Sequence, residues 1–257
     1  MRPRTVLAIL ILAFVGLGLT YASITPYRQP GRLVHQAGAL VPDIGAPDER
    51  QHANYVAHVL AGKGFPVLKP GSPDLIETYQ SHQPPLYYVL ASGWAKLTGA
   101  DPQNPRSGSR IRWLSVLIGA GTLLGVYAAA KWGTGREEVA LAAVAIAGLM
   151  PMFVALNSAV TNDPLAYFVC AWTFALCAKG LRGGWDWRLG ALVGALVGVG
   201  LLTKTTCLAL VPTAIAALVA AKVWTSQRPC LRTWLLVALL PFVVASPWMV
   251  RNTNLYG

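Results

Sequence analysis

The chain has 257 residues, of which 54% are hydrophobic and 12% charged, with a net charge of +11 and a mean hydropathy of +0.49. A soluble domain carries about 25% charged residues, so the composition excludes an ordinary water-soluble globule and points to hydrocarbon as the solvent. The basic residues lie in short segments between apolar runs, which excludes a nucleic-acid partner and fits helix ends facing anionic lipid.

Arg2 and Arg4 precede the first apolar run, 6–19. Thr20-Tyr21-Ala22 has the small-residue character of a signal-peptide cleavage site, but the later apolar runs favour a retained signal anchor. Segment 23–110 is polar enough to leave the membrane. It holds most of the acidic residues (Asp43, Asp48, Glu49, Asp74, Glu77, Asp101) and all the histidines (His35, His52, His58, His82). Long structureless loops are uncommon and usually functional. Two stretches of it read as amphipathic helices lying on the outer membrane surface. The first, 49–62, puts Ala53, Val56, Ala57 and Leu60 on one side; the second, 86–97, carries Tyr87, Tyr88 and Trp94 as interface anchors. A turn-rich linker, 69–73, separates them.

Six more apolar runs follow at 111–130, 139–156, 165–178, 189–202, 207–221 and 234–250. Some fall short of the ~20 residues of a perpendicular span, which flanking Trp, Lys and Arg extend by snorkelling. With the N-terminus cytoplasmic, the basic residues of the short connections concentrate inside, and the short outer connections hold only Lys204 and Arg251. The expected fold class is an all-α polytopic membrane protein with about seven transmembrane helices and a long first extracytoplasmic loop. It divides into a first span (1–22), the loop (23–110) and six further spans (111–257). Cys170, Cys177, Cys207 and Cys230 form no CxxC and read as free thiols, so neither disulfides nor a zinc finger is expected.

Four motifs carry candidate chemistry. In Pro47-Asp48-Glu49-Arg50-Gln51-His52, a carboxylate at a helix N-terminus caps exposed N–H groups, or acts as base toward an acceptor hydroxyl with the imidazole one turn on. In His82-Gln83-Pro84-Pro85-Leu86-Tyr87-Tyr88, the prolines rigidify the start of the second surface helix and hold His82 near the first cluster. Asp48, Glu49, His52 and His82 together offer ligands for a divalent ion, but no recognised spacing supports one, so no cofactor is expected. Asn162 or Asp163 caps the fourth span, with Pro164 at its first turn, or presents a polar group to substrate. Leu202-Thr203-Lys204-Thr205-Thr206 opens the sixth span, where N–H groups and Lys204 suit a phosphate, and Arg251 adds a second cation at the same depth.

Taken together, Pro47-Asp48-Glu49, Pro84-Pro85-Leu86-Tyr87-Tyr88, Asn162-Asp163-Pro164, Leu202-Thr203-Lys204 and Pro247-Trp248-Met249-Val250-Arg251-Asn252 resemble the GT-C superfamily of membrane glycosyltransferases. The nearest likeness is to protein O-mannosyltransferases and the aminoarabinose transferases that modify lipid A. The resemblance implies inverting transfer of a sugar from a polyprenyl phosphate to a hydroxyl of a lipid, glycan or protein acceptor, outside the bacterial inner membrane. It makes Asp48 the catalytic base, assisted by Glu49. His52, His82, Tyr87, Asn162 and Asp163 become substrate-binding residues, and Lys204 with Arg251 holds the donor phosphate.

His52 and His82 stand where aminoarabinose transferases commonly differ, and an uncharacterised bacterial branch with the same Pro-Asp-Glu and His start is equally close. Sugar and acceptor are therefore not carried over. Members normally have more spans and an outer C-terminal domain, so the chain is expected to be an N-terminal fragment. Two other classes stay open: a transporter or flippase of lipid-linked sugars, disfavoured by span interiors without Asp, Glu, Lys or Arg, and a metal-dependent membrane hydrolase using the loop histidines.

Overall fold

The computed structural model describes residues 2–28, 33–36, 39–42, 46, 48–225 and 227–257; Asp43, Pro47 and the side chain of His35 lie outside them. The chain opens with helix α1 (Pro3–Ile24), followed by strands β1 (Leu33–Gln36) and β2 (Ala39–Pro42), helix α2 (Glu49–Leu60), the single turn α3 (Leu75–Thr78) and α4 (Leu86–Thr98). Then come α5 (Arg112–Thr134), α6 (Glu137–Leu149), α7 (Pro151–Leu156), α8 (Asp163–Gly183), α9 (Trp187–Leu201), α10 (Leu210–Trp224) and α11 (Leu231–Tyr256). Short 3₁₀ turns at Tyr79–His82, Gly108–Ile111 and Thr205–Ala209 introduce α4, α5 and α10.

The protein is an all-helical integral membrane protein of the multi-pass type. Five helices among the described residues are long and apolar enough to cross a bilayer: Pro3–Ile24, Gly108–Thr134, Asp163–Gly183, Thr205–Trp224 and Leu231–Tyr256. The other two expected runs are helical but shorter. Run 139–156 splits into α6 and α7 because Met150 takes an extended conformation before Pro151, whose ring disfavours helix in the preceding residue. Helix α9 has 15 residues, about 22 Å of rise. The antiparallel pair β1–β2, with Val34 opposite Val41, is a small addition to the helical plan.

Without a hydrophobic force between helices in lipid, close packing depends on small residues. Gly190, Gly194 and Gly198 recur every fourth position on α9 and face α11. A Cβ on Gly194 would lie 2.3 Å from the Leu236 carbonyl oxygen, so only glycine permits this approach. Outward-facing Ile9, Leu12, Leu117, Ile146, Leu239 and Val243 remain exposed, as lipid-facing side chains do.

Helices α2 and α4 form as expected, and each packs one face into the protein. Tyr87 and Tyr88 are fully buried rather than interface anchors, packing with Ala53, Val56, Ile111 and Val160 into one apolar cluster. Trp94 is only partly buried, and its Nε1 donates to the Arg110 carbonyl at 3.0 Å. Several contacts gather the loop and distant turns at one end of the helix bundle. The Leu86 N–H donates to the Leu202 carbonyl (2.9 Å), Asn162 Nδ2 to the Thr203 carbonyl (3.0 Å), and the Leu68 N–H to the Tyr256 hydroxyl (3.0 Å).

Candidate active site

The site begins at the first turn of α2, where two adjacent carboxylates meet opposite environments. Asp48 sits in the left-handed region (φ 56°), a conformation that Asp tolerates better than most residues. Its side chain is exposed and makes no hydrogen bond or ion pair among the described residues, so it is not the helix cap that its position allows. Strained backbone held at a solvent-facing carboxylate is a feature that clusters at functional sites.

Glu49 turns inward and is fully buried. Its Oε1 accepts from Arg112 Nε (2.7 Å) and from the Val160 N–H (2.7 Å), and its Oε2 accepts from Arg112 Nη2 (2.6 Å). Burial pushes the Glu49 carboxyl above its ordinary range, while Arg112 and the Val160 N–H pull it back. Arg112 also donates to the carbonyls of Ala22, Thr25 and Pro26. One guanidinium thus ties the end of α1, the start of α2 and the start of α5 together. Through Val160, Glu49 adds the turn before α8.

One turn along α2, His52 is buried between Tyr88, whose hydroxyl lies 2.8 Å from Nδ1, and Thr161, whose Oγ1 lies 3.4 Å from Nε2. Tyr55 stacks on Tyr88 with ring centres 3.7 Å apart. Burial is the main cause that pushes His52 down to about 3, against the opposing pull of Asp163. It is a neutral imidazole at physiological pH.

Asp48, His52, His82, Asn162, Asp163 and Lys204 all line one cavity of 340 Å³, completed by Gln80, Gln83 and Thr161. Lys204 pairs with Asp163 Oδ1, and Asp163 Oδ2 accepts from the Thr161 hydroxyl at 3.2 Å. Both partners keep about a quarter of their side-chain surface open (26% and 24%), so a ligand in the cavity can reach the ammonium. His82 Nδ1 donates to the Tyr79 carbonyl at 2.8 Å, and its Nε2 lies 3.3 Å from Gln83 Nε2. Neither Asn162 nor Asp163 caps α8 through its side chain; Asn162 Nδ2 donates instead to Thr203 and to Gln83 Oε1 (3.2 Å).

Three expected site residues stand elsewhere: Glu49, turned toward Arg112, and also Tyr87 and Arg251. Tyr87 is fully buried, shares a hydrogen bond with the Ser115 hydroxyl (3.2 Å) and does not line the cavity; Tyr79 is the tyrosine that lines it, and Tyr88 stands behind His52. Arg251 lies on Trp248 (4.6 Å) and donates to the Phe65 and Pro66 carbonyls (3.1 and 2.9 Å), so it clamps the segment after α2 onto α11. The quartet Asp48, Glu49, His52 and His82 also does not converge as metal ligands, because Glu49 faces Arg112. No cluster of three such residues is present among the described residues.

Beside the cavity runs an apolar groove of 280 Å³, lined by Pro84, Leu201, Thr205, Leu208, Phe242 and Trp248 among others. Two of its lining residues neighbour cavity residues in the chain: Pro84 follows Gln83, and Thr205 follows Lys204. Arg112, Thr161 and Gln80 are the participants that sequence reasoning missed. Arg112 left a signal: it is a cation at the edge of an otherwise charge-free apolar run, which in a membrane protein asks for a partner. Gln80 and Thr161 left none.

A family model described as dolichyl-phosphate-mannose-protein mannosyltransferase matches residues 82–250, about two thirds of the chain. The matched region includes His82, Asn162, Asp163 and Lys204 and begins after Asp48 and Glu49. No curated protein and no solved structure matches the chain.

Proposed function

Because this chain belongs to the dolichyl-phosphate-mannose-protein mannosyltransferase family of GT-C membrane glycosyltransferases, we propose that it transfers a sugar from a polyprenyl phosphate to an acceptor hydroxyl at the outer membrane face, with inversion. The observation that carries this reading is the single cavity shared by the exposed carboxylate of Asp48 and the partly open ammonium of Lys204, with an apolar groove lined by the residues that follow Gln83 and Lys204 in the chain. Those are the three parts such a reaction requires: a base for the nucleophile, a cation for the leaving group and a dry track for the lipid tail.

In this mechanism Asp48 accepts the proton of the acceptor hydroxyl as its oxygen attacks the anomeric carbon. The bond from that carbon to the phosphate oxygen breaks on the opposite side of the sugar. The electron pair leaves with the phosphate, and Lys204 stabilises the added charge. Asp163 aims Lys204, and the neutral His52 supports Thr161 behind Asp163 without competing for the proton. The prenyl chain lies along Leu201, Leu208, Phe242 and Trp248. Lipid, glycan or protein hydroxyls are the acceptors.

The direct test is Asp48→Asn assayed for transfer from a polyprenyl-phosphate sugar in proteoliposomes. Loss of transfer with normal membrane insertion is expected. Full activity in that variant refutes Asp48 as the base.

A further inference from the structure

We propose that Asn162 and Gln80 read the transferred sugar, each through an amide oxygen that accepts a hydrogen bond from a sugar hydroxyl. This rests on the lipid-linked donor reading above and assigns further residues of the same cavity.

The argument starts from Asn162, which is 1% exposed. Its Nδ2 donates to the Thr203 carbonyl and to Gln83 Oε1. A backbone carbonyl can only accept, so the amide orientation is determined: turning it over would set Oδ1 against two acceptors. Both amide hydrogens are therefore committed within the protein. Oδ1 is buried and has no partner among the described residues. Buried acceptors in native proteins are almost always satisfied, and an orphan on a cavity wall marks where a donor arrives.

Gln80 supplies a second, independent case. It belongs to the 3₁₀ turn Tyr79–His82, is 5% exposed and lines the same cavity, and its Oε1 is likewise buried without a partner. Asp163, beside Asn162, is already matched, since it accepts from both Lys204 and Thr161. The unmet capacity of Asn162 is for a donor alone, and Gln80 adds a second buried, unpaired amide oxygen to the same cavity lining.

That chemistry separates the two ends of a sugar phosphate. Phosphate oxygens chiefly accept and suit Lys204; they gain nothing from amide oxygens. Sugar hydroxyls donate, and a pair of buried acceptors on separate turns holds a ring at two points. A site built this way rejects an analogue that lacks the donor, because its acceptors are then left unpaired.

The test measures binding of the full chain in nanodiscs to polyprenyl phosphate and to the same lipid carrying a neutral hexose. The wild type is expected to prefer the sugar-bearing lipid by about tenfold or more, the worth of one to two hydrogen bonds to buried groups. Gln80→Leu and Asn162→Leu should lose that preference while still binding polyprenyl phosphate. Asn162→Leu also removes two structural bonds, so Gln80→Leu, whose side chain has no hydrogen-bond partner among the described residues, keeps the test decisive if the first variant fails to fold. Equal binding of both lipids by the wild type, or an unchanged preference in Gln80→Leu, overturns the sugar-reading role alone. Binding of neither lipid by the wild type overturns the donor reading beneath it as well. A preference abolished by chelator would assign the amides to a metal ion and also overturn the proposal.

Discussion

Arg112 and Glu49 lie 63 positions apart in the chain, yet their side chains form a bidentate ion pair from which water is wholly excluded. The pair neighbours the candidate base, Asp48, and through Val160 it reaches the turn that carries Asn162 and Asp163. It holds the two walls of the cavity at a set separation, and several consequences of that arrangement are measurable.

Removing one partner leaves a buried charge without its counter-ion. Arg112→Ala should destabilise the protein by about 3–5 kcal/mol, read as a large drop in thermal midpoint in detergent. A double variant, Arg112→Met with Glu49→Leu, should recover much of that loss, since both charges leave together. Equal instability of single and double variants would mean that the pair does not act as a unit.

Asp48 contributes to chemistry without holding the fold. Asp48→Gly, which suits the left-handed backbone, should retain or slightly raise the thermal midpoint while transfer falls about 10²–10⁴-fold. A stability loss comparable to the Arg112 variant would instead place Asp48 among the structural residues.

Lys204 and Asp163 should separate kinetically. Lys204→Met is expected to lower kcat by about 10²-fold, as for loss of one charge-stabilising group in a transition state. Asp163→Asn, which leaves the cation in place but less well aimed, should cost less. Transfer by Lys204→Met at the wild-type rate would remove the phosphate role.

His52 gives the protein an acid-sensitive stability. Its ordinary value is 6.5, and burial lowers it to about 3 in the fold. The unfolded chain therefore binds a proton that the folded chain refuses as pH falls from 6.5 toward 3, so stability is full above that window and declines through it. Thermal midpoints measured from pH 7 to pH 4 should fall less steeply in His52→Gln than in the wild type. Parallel slopes would show that His52 is not the group responsible.

The α9–α11 contact should tolerate no side chain at Gly194. Gly194→Leu is expected to force the helices apart at a cost of roughly 1–3 kcal/mol. Gly183→Leu, where an added Cβ meets nothing within 4 Å, is the matched control.

The sequence by itself determined the solvent of this protein and most of its helices. Runs without charge must sit in hydrocarbon, and that is a local property readable one window at a time. The same locality located α2 and α4, the break before Pro151 only in hindsight, and the short motifs that carry the family likeness. Only the tertiary structure decided which of those motif residues meet. Tyr87 and Arg251 looked as eligible as His52 and Lys204, because residue type and depth do not say which way a side chain turns. Residue type alone did not separate two adjacent carboxylates; in the fold Arg112 holds Glu49 inward, and Asp48 faces the cavity. The reason is physical: hydropathy sums over neighbours in the chain, whereas a site is closed by hydrogen bonds between turns that lie 41 to 111 positions apart.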